Sequence, residues 1–398
     1  MHIAYVLADH GIPLFGEKGA CVHVQSSVGA MCALGHEVQV LAARLGSPSE
    51  GFPARYCKVQ PESEPCSSPR TLDERGRKEL RYMAIAEAME ARLKAAVGVD
   101  LVYERYSLWS AAGVRAARVL GVPCVVEINA PLIEEQQRYR RLVHESLARS
   151  LELEVLQGAD LIVAVSAVLR ECLIERGAPP ERVIVAPNGV DCKAYSNMQP
   201  PRRGIADDPR IGFVGSLKSW HGIEILLDAF REIASLLPRA RLIVTGDGPL
   251  RGWIEGYARG AGLQDSVEIT GWLSHAQLPA ALSRVDVALA PYPALDRFYF
   301  SPLKLFDYLA AGRPIVASNL GQVAEIVSHE RNALLVPAGE VMALADAVLR
   351  IVRDVQLATR LAGEARRTAL QHDWLLQTDR ILAHDPIRYA PRAVRPVA

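Results

Sequence analysis

Short aliphatic runs alternate with helix-period segments along nearly the whole chain, and this alternation limits the possible folds more than any other feature. Ile3–Ala8 reads as a strand, Cys21–Leu34 as a helix and Glu37–Ala42 as a strand. Leu80–Ala96 (helix), Leu101–Tyr103 (strand), Trp109–Leu120 (helix) and Cys124–Ile128 (strand) follow. A single polar helix is expected over Ile133–Leu156, then a strand at Leu161–Val165, a short helix from Ala167 capped by Ser166, and a strand at Val183–Ala186. The alternation restarts at Ile211–Val214 and runs through Ile223–Leu237, Arg241–Val244, Leu250–Ala261, Val267–Ile269, Ala276–Ser283, Val287–Ala290, Pro302–Ala311 and Ile315–Ala317, with helices near Val341–Val352 and Gln356–Leu370. Such a pattern calls for parallel sheets covered by helices on both faces. Ligands of such sheets bind beyond the C-terminal strand ends.

A chain of 398 residues, half of them hydrophobic, is long enough for two such domains. The break falls at 192–209, where Pro200, Pro201, Gly204 and Asp207-Asp208 read as a linker. This puts a first domain at 1–191, rejoined by a crossing helix at about 372–385, and a second at 210–371. Residues 60–68, rich in Pro, Ser and Glu, read as a loop, and the Pro- and Arg-rich tail 386–398 as disordered. Lys+Arg and Asp+Glu balance at 45 each, so overall charge gives no case for a nucleic-acid partner. The seven cysteines form no Cys-x-x-Cys pair, and Cys21, Cys124 and Cys172 lie in apolar segments, which suits a reducing compartment. No basic leader and no apolar run of roughly 18 residues is found, so a cytoplasmic location is expected. Arg138, Arg140, Arg141 and Arg149 are offset by Glu134, Glu135, Glu145, Glu152 and Glu154, which favours a solvated helix face over contact with a membrane surface.

Chemistry concentrates in a few loops. In 301–318, SPLKLFDYLAAGRPIVAS, a loop with Ser301, Pro302 and Lys304 enters a short helix carrying Asp307, and Gly312 stops it before a buried strand. Free N–H groups at such a helix start favour an anion such as phosphate, and an acid further along suits sugar hydroxyls. An ordinary helix–strand unit would look much the same. Three more loops follow predicted strands: Gly16-Glu17-Lys18-Gly19-Ala20, 215–222 (GSLKSWHG) and Gly246-Asp247-Gly248-Pro249. Glycine lets backbone N–H groups approach an anion, and Lys218 and His221 add cationic options. None fits GxGxxG or a P-loop, and each alone is also what a plain strand–helix turn looks like. Absence of HExxH, Asp-x-Asp and GxSxG gives no pointer to a catalytic metal or a hydrolase nucleophile, and no cofactor is called for. A departing diphosphate would then be stabilised by cationic side chains and helix ends.

The combination of GHEVQVL (35–41), VIVAPNGVD (183–191), GFVGSLKSWHGIEILLDAF (212–230), LIVTGDGP (242–249), VEITGWL (267–273) and the 301–318 stretch, in this order, resembles the retaining glycosyltransferases of family 4 over nearly the whole chain. The resemblance implies the α/β GT-B architecture: two doubly wound, Rossmann-like domains facing across a cleft. The donor nucleotide sugar would be held mainly by the second and a sugar or glycan acceptor mainly by the first. Gly215, Gly246 and the start Ser301-Pro302-Leu303-Lys304 would line the donor. The family's Glu-seven-residues-Glu pattern places its second acid on Asp307, at the ribose, and its first on Tyr299, which is no carboxylate. The diphosphate-clamping Arg and Lys fall on Ser216 and His221, so Lys218 and Lys304 are the candidates to replace the missing charge. A protonated His221 would aid departure of the diphosphate, with transfer falling at high pH.

In the first domain the resemblance places Gly19 at the donor phosphate and, with His23, Asn129 on the acceptor side, where the family often has a histidine. Asn129 can bond a sugar hydroxyl but is no general base, which fits front-face retention with the diphosphate taking the acceptor proton; a polar strand-end cap is its other reading. Glu325 matches a family acid that touches the donor or supports the structure. Asn188-Gly189-Val190-Asp191 reads as a structural turn. The implied activity is metal-independent hexosyl or N-acetylhexosaminyl transfer, with UDP-sugars favoured over GDP-mannose. A nucleotide-sugar epimerase of the same fold, or a non-catalytic nucleotide-sugar-binding partner, are the alternatives; the losses at Tyr299, Ser216 and His221 motivate the latter.

Overall fold

The computed structural model describes residues 1–48, 51–61, 73–202 and 206–388, apart from the side chains of Pro386 and Arg388. It divides into two compact units, Met1–Pro187 with Trp374–Ala398, and Asn188–Asp373.

The first unit runs β1 (His2–Leu7), α1 (Gly19–Ala33), β2 (Glu37–Ala42), β3 (Arg55–Lys58), α2 (Glu74–Lys94), β4 (Leu101–Arg105), α3 (Ala112–Leu120), β5 (Cys124–Ile128), α4 (Leu132–Tyr139), α5 (Glu145–Gly158), β6 (Leu161–Ala164), α6 (Ala167–Glu175) and β7 (Val183–Val185). Its strands form one sheet in the order β3-β2-β1-β4-β5-β6-β7. All pairings are parallel; Ile3, for example, sits opposite Val38 and Leu101. Strands β4, β5 and β6 are buried at every residue, as expected of a sheet covered on both faces. The strand order reverses between β1 and β4, so any ligand site belongs beyond the C-terminal ends of these two strands.

The second unit continues with β8 (Arg210–Val214), α7 (Ile223–Leu236), β9 (Arg241–Thr245), α8 (Arg251–Gly260), β10 (Val267–Gly271), α9 (Leu278–Ser283), β11 (Val287–Ala290), α10 (Leu303–Ala310), β12 (Ile315–Ser318), α11 (Gly321–Ile326), β13 (Leu334–Val336), α12 (Val341–Arg353) and α13 (Val355–Leu370). Its parallel sheet has the order β10-β9-β8-β11-β12-β13, with the reversal between β8 and β11. The chain then returns to the first unit with α14 (Trp374–Leu382), which packs on α1, and α15 (Asp385–Arg388).

Several expectations change. The single helix over 133–156 is two, α4 and α5, because residues 140–144 are pulled out of helical register. Glu79 of α2, fully buried, accepts hydrogen bonds from the backbone N–H of Val143 (3.2 Å) and His144 (3.0 Å) and fixes the break. Helix α2 starts ahead of Leu80 because Asp73 caps it, accepting from Gly76 N at 2.8 Å. The segment expected as a linker, 192–209, is part of the second unit. A 3-10 turn at Cys192–Tyr195, capped by Asp191, buries Tyr195, and Arg202 grips Asp286 through two bonds of 2.9 and 2.7 Å; residues 203–205 lie outside the described residues. The loop expected at 60–68 also lies outside them from residue 62 on, as does the tail from residue 389. The tail's first residues, by contrast, are helical in α15, and Ile387 is buried. Ser166 caps α6 as expected, accepting from Leu169 N at 3.1 Å. Among the described residues no helix is long and apolar enough to cross a membrane.

Candidate active site

In the second unit the switch point brings together the loop after β8, the loop after β11 and the start of α10. The β8 loop holds a 3-10 turn at Ser219–His221 and then Gly222, whose φ of 72° opens α7. A Cβ at Gly222 would lie 1.6 Å from the Pro291 carbonyl oxygen, so this glycine lets the β8 and β11 loops touch. Gly215, at φ 145°, does the same for Lys304: a Cβ there would sit 2.8 Å from Nζ. The amides of Gly215 and Gly246 are not open to a ligand, however. Gly215 N donates to Thr245 O and Gly246 N to Gly271 O, both at 2.9 Å, so these two glycines contribute close approach rather than N–H donors.

Lys304 is 6% exposed. Its Nζ lies 3.9 Å from the ring centre of Phe213, 5.4 Å from that of Tyr292 and 3.4 Å from His221 Nδ1. Among the described residues no carboxylate pairs with it. Burial pushes its amine well below the usual lysine range. Lys218 also acts on His221, and its Nζ lies 4.5 Å from the centre of the Trp220 ring. The expected grouping of Lys218, His221 and Lys304 is thus present, but His221 does not carry charge. Burial first, then Lys304 and Lys218, push its imidazole down to about 2. The expectation of a protonated His221 is corrected on that ground: a desolvated imidazole acted on by two lysines serves as a neutral partner to Lys304, not as a third cation.

Ser301 is buried and tied to the Asn188 turn; its Oγ accepts from Asn188 N at 3.0 Å, and Asn188 Nδ2 donates to Ser301 O at 2.8 Å. Pro302 precedes α10, and Leu303 and Lys304 are its first two residues. Asp307 also departs from expectation. At 5% exposure its Oδ1 accepts from Tyr195 OH (2.9 Å) and lies 3.3 Å from His275 Nε2. The carboxylate is therefore bound within the protein instead of standing open to ribose hydroxyls. His275, half-buried, is the accessible member of this pair, and its hydrogen bond to Asp307 raises its pKa. The sequence reading missed His275 and Tyr195. Ser216 and Glu325 are exposed, and Tyr299 is half-buried with its ring 5.8 Å from that of Phe300.

In the first unit Gly19 is the exposed first residue of α1. His23, one turn further, is 4% exposed; its Nε2 lies 2.5 Å from Glu127 Oε1 and its ring 4.9 Å from Trp374. This corrects the expectation that His23 meets an acceptor, since its imidazole is enclosed. Asn129, just past β5, donates from Nδ2 to the same Glu127 oxygen at 2.8 Å. Arg105 at the end of β4 adds a contact of 3.2 Å, and Tyr103 OH donates to Oε2 at 2.7 Å. Burial alone would raise the Glu127 carboxyl, but His23, Arg105 and Tyr103 outweigh it and hold the group well below the usual carboxylate range. Glu127 was not singled out from sequence. The signal was an acid inside the otherwise apolar strand CVVEI, where an unpaired charge would be prohibitive.

Two all-parallel, doubly wound sheets, one with glycine loops and, among the described residues, a buried lysine without a carboxylate partner at its switch point, define an α/β protein of the doubly wound class. Comparison with known proteins narrows this. Residues 18–194 match the model of "Glycosyltransferase Family 4" and residues 208–354 that of "Glycosyl transferases group 1". The chain belongs to this family of glycosyltransferases. It is similar to alpha-D-kanosaminyltransferase of Streptomyces kanamyceticus (26% identical over 63% of this chain and 66% of that one). Glycogen synthase of Mycobacterium tuberculosis is 27% identical over 69% of this chain and 66% of its own. The match thus spans just under two thirds of the length of these relatives. Among solved structures, sucrose-phosphate synthase from Thermosynechococcus elongatus superposes with a TM-score of 0.72 at 21% identity, covering 96% of this chain and 97% of that one. Anabaena Alr3699/HepE, in complex with UDP and glucose, gives 0.70 at 20%, covering 95% and 97%. The fold is GT-B.

Proposed function

We propose that the protein is a retaining, metal-independent glycosyltransferase that takes a hexosyl or N-acetylhexosaminyl group from a nucleotide-diphosphate sugar, with a UDP-sugar favoured, and passes it to a hydroxyl of a saccharide-type acceptor. The observation that carries this reading is Lys304, a buried amine that among the described residues has no carboxylate partner at the switch point of the second sheet. Such a group is costly unless an anion is part of the working state. A diphosphate supplies that anion. Lys304 and Lys218 meet its oxygens, neutral His221 steadies Lys304, and the start of α10 adds its N–H groups and dipole. The His275–Asp307 pair holds the nucleoside end, with Glu325 at the donor's edge.

The donor's C1–O bond breaks as the diphosphate leaves. The acceptor oxygen forms a bond to C1 on the same face, and its proton passes to the departing diphosphate oxygen. Asn129, oriented by Glu127, bonds a hydroxyl of the acceptor or of the transferred sugar. The relatives' names support transfer of a hexosyl group: they include a 2-deoxystreptamine glucosyltransferase and a phosphatidyl-myo-inositol mannosyltransferase. The test is incubation with a panel of UDP-, GDP- and ADP-sugars, with and without saccharide acceptors, followed by mass spectrometry. Acceptor-dependent release of nucleoside diphosphate and a product with the anomeric configuration of the donor are expected. An epimerised sugar formed without acceptor, or binding with no release across the panel, would overturn the reading.

A further inference from the structure

The corner of the first sheet farthest along β1, β2 and β3 takes no part in the site described above. His10 lies just beyond the end of β1, Arg44 just beyond β2, and Lys58 is the last residue of β3. These three strands are neighbours in the sheet, so parallel pairing delivers all three residues to one edge. Helix α2 brings Lys78 and Tyr82 to the same place. The His10 and Tyr82 rings stack with centroids 5.6 Å apart, and Lys78 Nζ lies 5.8 Å from the Tyr82 ring centre. Burial and then the charges of Arg44, Lys78 and Lys58 lower the His10 imidazole's pKa, against the opposing pull of Asp9. Three cations therefore act on one small region.

Among the described residues no carboxylate pairs with Arg44, Lys58 or Lys78. The one acid that acts on His10, Asp9, already accepts from Gly11 N at 2.7 Å. Protein surfaces ordinarily intersperse the two signs, and Lys58 alone has a simpler use, blunting an edge strand. Arg44 and Lys78 are not on that edge, and the chain has only seven lysines to place. An aromatic pair flanked by cations that no described carboxylate pairs, at the C-terminal ends of parallel strands, suits a sugar ring that carries a negative charge: the rings stack on the apolar face of the sugar and the cations meet the charge.

We propose that His10, Arg44, Lys58, Lys78 and Tyr82 form an acceptor subsite for a phosphate-bearing saccharide. The inference rests on the transferase reading and adds the class of its acceptor. The probe is a soluble sugar phosphate, and a vesicle arm separates this subsite from contact with an anionic lipid surface.

Isotope-labelled full-length protein is saturated with UDP, to occupy the donor phosphate site, and titrated with glucose 1-phosphate or methyl α-glucoside while the His10 ring resonances are followed. Glucose 1-phosphate should shift these resonances to saturation at least tenfold more tightly than the neutral glucoside. Combined Arg44→Ser, Lys58→Ser and Lys78→Ser should erase that preference while UDP affinity stays unchanged. Tyr82→Ala should weaken both probes. In a parallel arm, vesicles of phosphatidylglycerol should retain no more protein than vesicles of phosphatidylcholine. Equal response to the two sugars, or unchanged preference in the triple variant, overturns the proposal. So does charge-dependent retention on phosphatidylglycerol with no His10 response, which would make the corner a membrane contact. Loss of UDP binding with the His10 response intact would count against the donor reading alone.

Discussion

Replacing Lys304 by methionine should make the protein more stable and less active. Met keeps the length and apolar stem of the side chain and removes only the amine. That residue is 6% exposed, its amine 3.4 Å from His221 Nδ1 and faced by the rings of Phe213 and Tyr292. Burying a polar group with so little compensation costs about 1–3 kcal/mol by protein mutational measures, and cation–π attraction returns part of it only while the amine is protonated. A net gain of about 1–2 kcal/mol for Lys304→Met corresponds to a rise in Tm of roughly 2–8 °C for a unit of this size. The gain depends on pH. The folded-state amine titrates below the usual lysine range, while in the unfolded chain it titrates near ~10.4. Between those values the unfolded chain binds the extra proton, so the wild type loses stability as pH falls through that window, and the variant does not. The difference in Tm should thus be larger at about pH 6 than at about pH 10. Donor turnover moves the other way: loss of a preorganised cation at the leaving diphosphate should lower kcat/KM by about 10²–10³-fold. Differential scanning calorimetry across pH and steady-state kinetics on the same preparations measure both. A variant that is less stable at every pH, or one that keeps activity within about threefold of wild type, would refute the reasoning.

His221→Ala should leave the pH dependence of donor use in place, because the imidazole is already neutral across the working range; a pH profile flattened by this substitution would restore His221 as the titrating cation. Asp307→Asn should shift the His275 ring titration, followed by NMR, to lower pH, because the hydrogen bond from His275 to this carboxylate is what raises its pKa, and nucleotide binding should weaken with it. Glu127→Gln should destabilise the first unit by about 3–5 kcal/mol in urea unfolding at neutral pH, since His23 and Arg105 lose a buried anion. With a depressed folded-state pKa, that stabilisation is fully present above the ordinary carboxylate range and is lost only as pH falls towards the folded value, so the gap between wild type and variant should close only in strong acid. Gly222→Ala should prevent the second unit from reaching its native fold, seen as loss of cooperative melting, because the new Cβ meets the Pro291 carbonyl at 1.6 Å in a left-handed backbone.

The alternation of strands and helices was legible because each central strand is buried on both faces and must be apolar throughout; Val287–Ala290 and Ile315–Ser318 could be little else. The edge strands β3 and β13 were not. RYCK has three exposed residues of four and no apolar face to mark it, and Leu334–Val336 is too short for a period to register. The break between α4 and α5 was hidden for another reason. Its cause, Glu79, lies more than sixty residues upstream, and local pattern carries no trace of such a partner.

The candidate site divides along the same line. Glycine loops and helix starts are local, so Gly215, Gly222 and the Ser301–Lys304 turn could be found from their order in the chain. Which groups carry charge is settled by what the fold packs around them. Lys304 and His221 both sit on chemically suggestive loops, yet burial lowers the amine of the one, and burial together with the nearby lysines keeps the imidazole of the other neutral. Asp307 and Glu127 reverse the lesson. The acid that sequence order assigned to ligand binding is enclosed by Tyr195 and His275, while the acid that order passed over gathers His23, Arg105, Asn129 and Tyr103 at the ends of β4 and β5. Both carboxylates act through a neighbour: Asp307 by raising the pKa of His275, Glu127 by fixing the Asn129 amide. That indirection explains why a spacing-based reading passes over such contacts, and why replacing either acid by its amide should move its partner's titration or geometry before it moves the fold's outline.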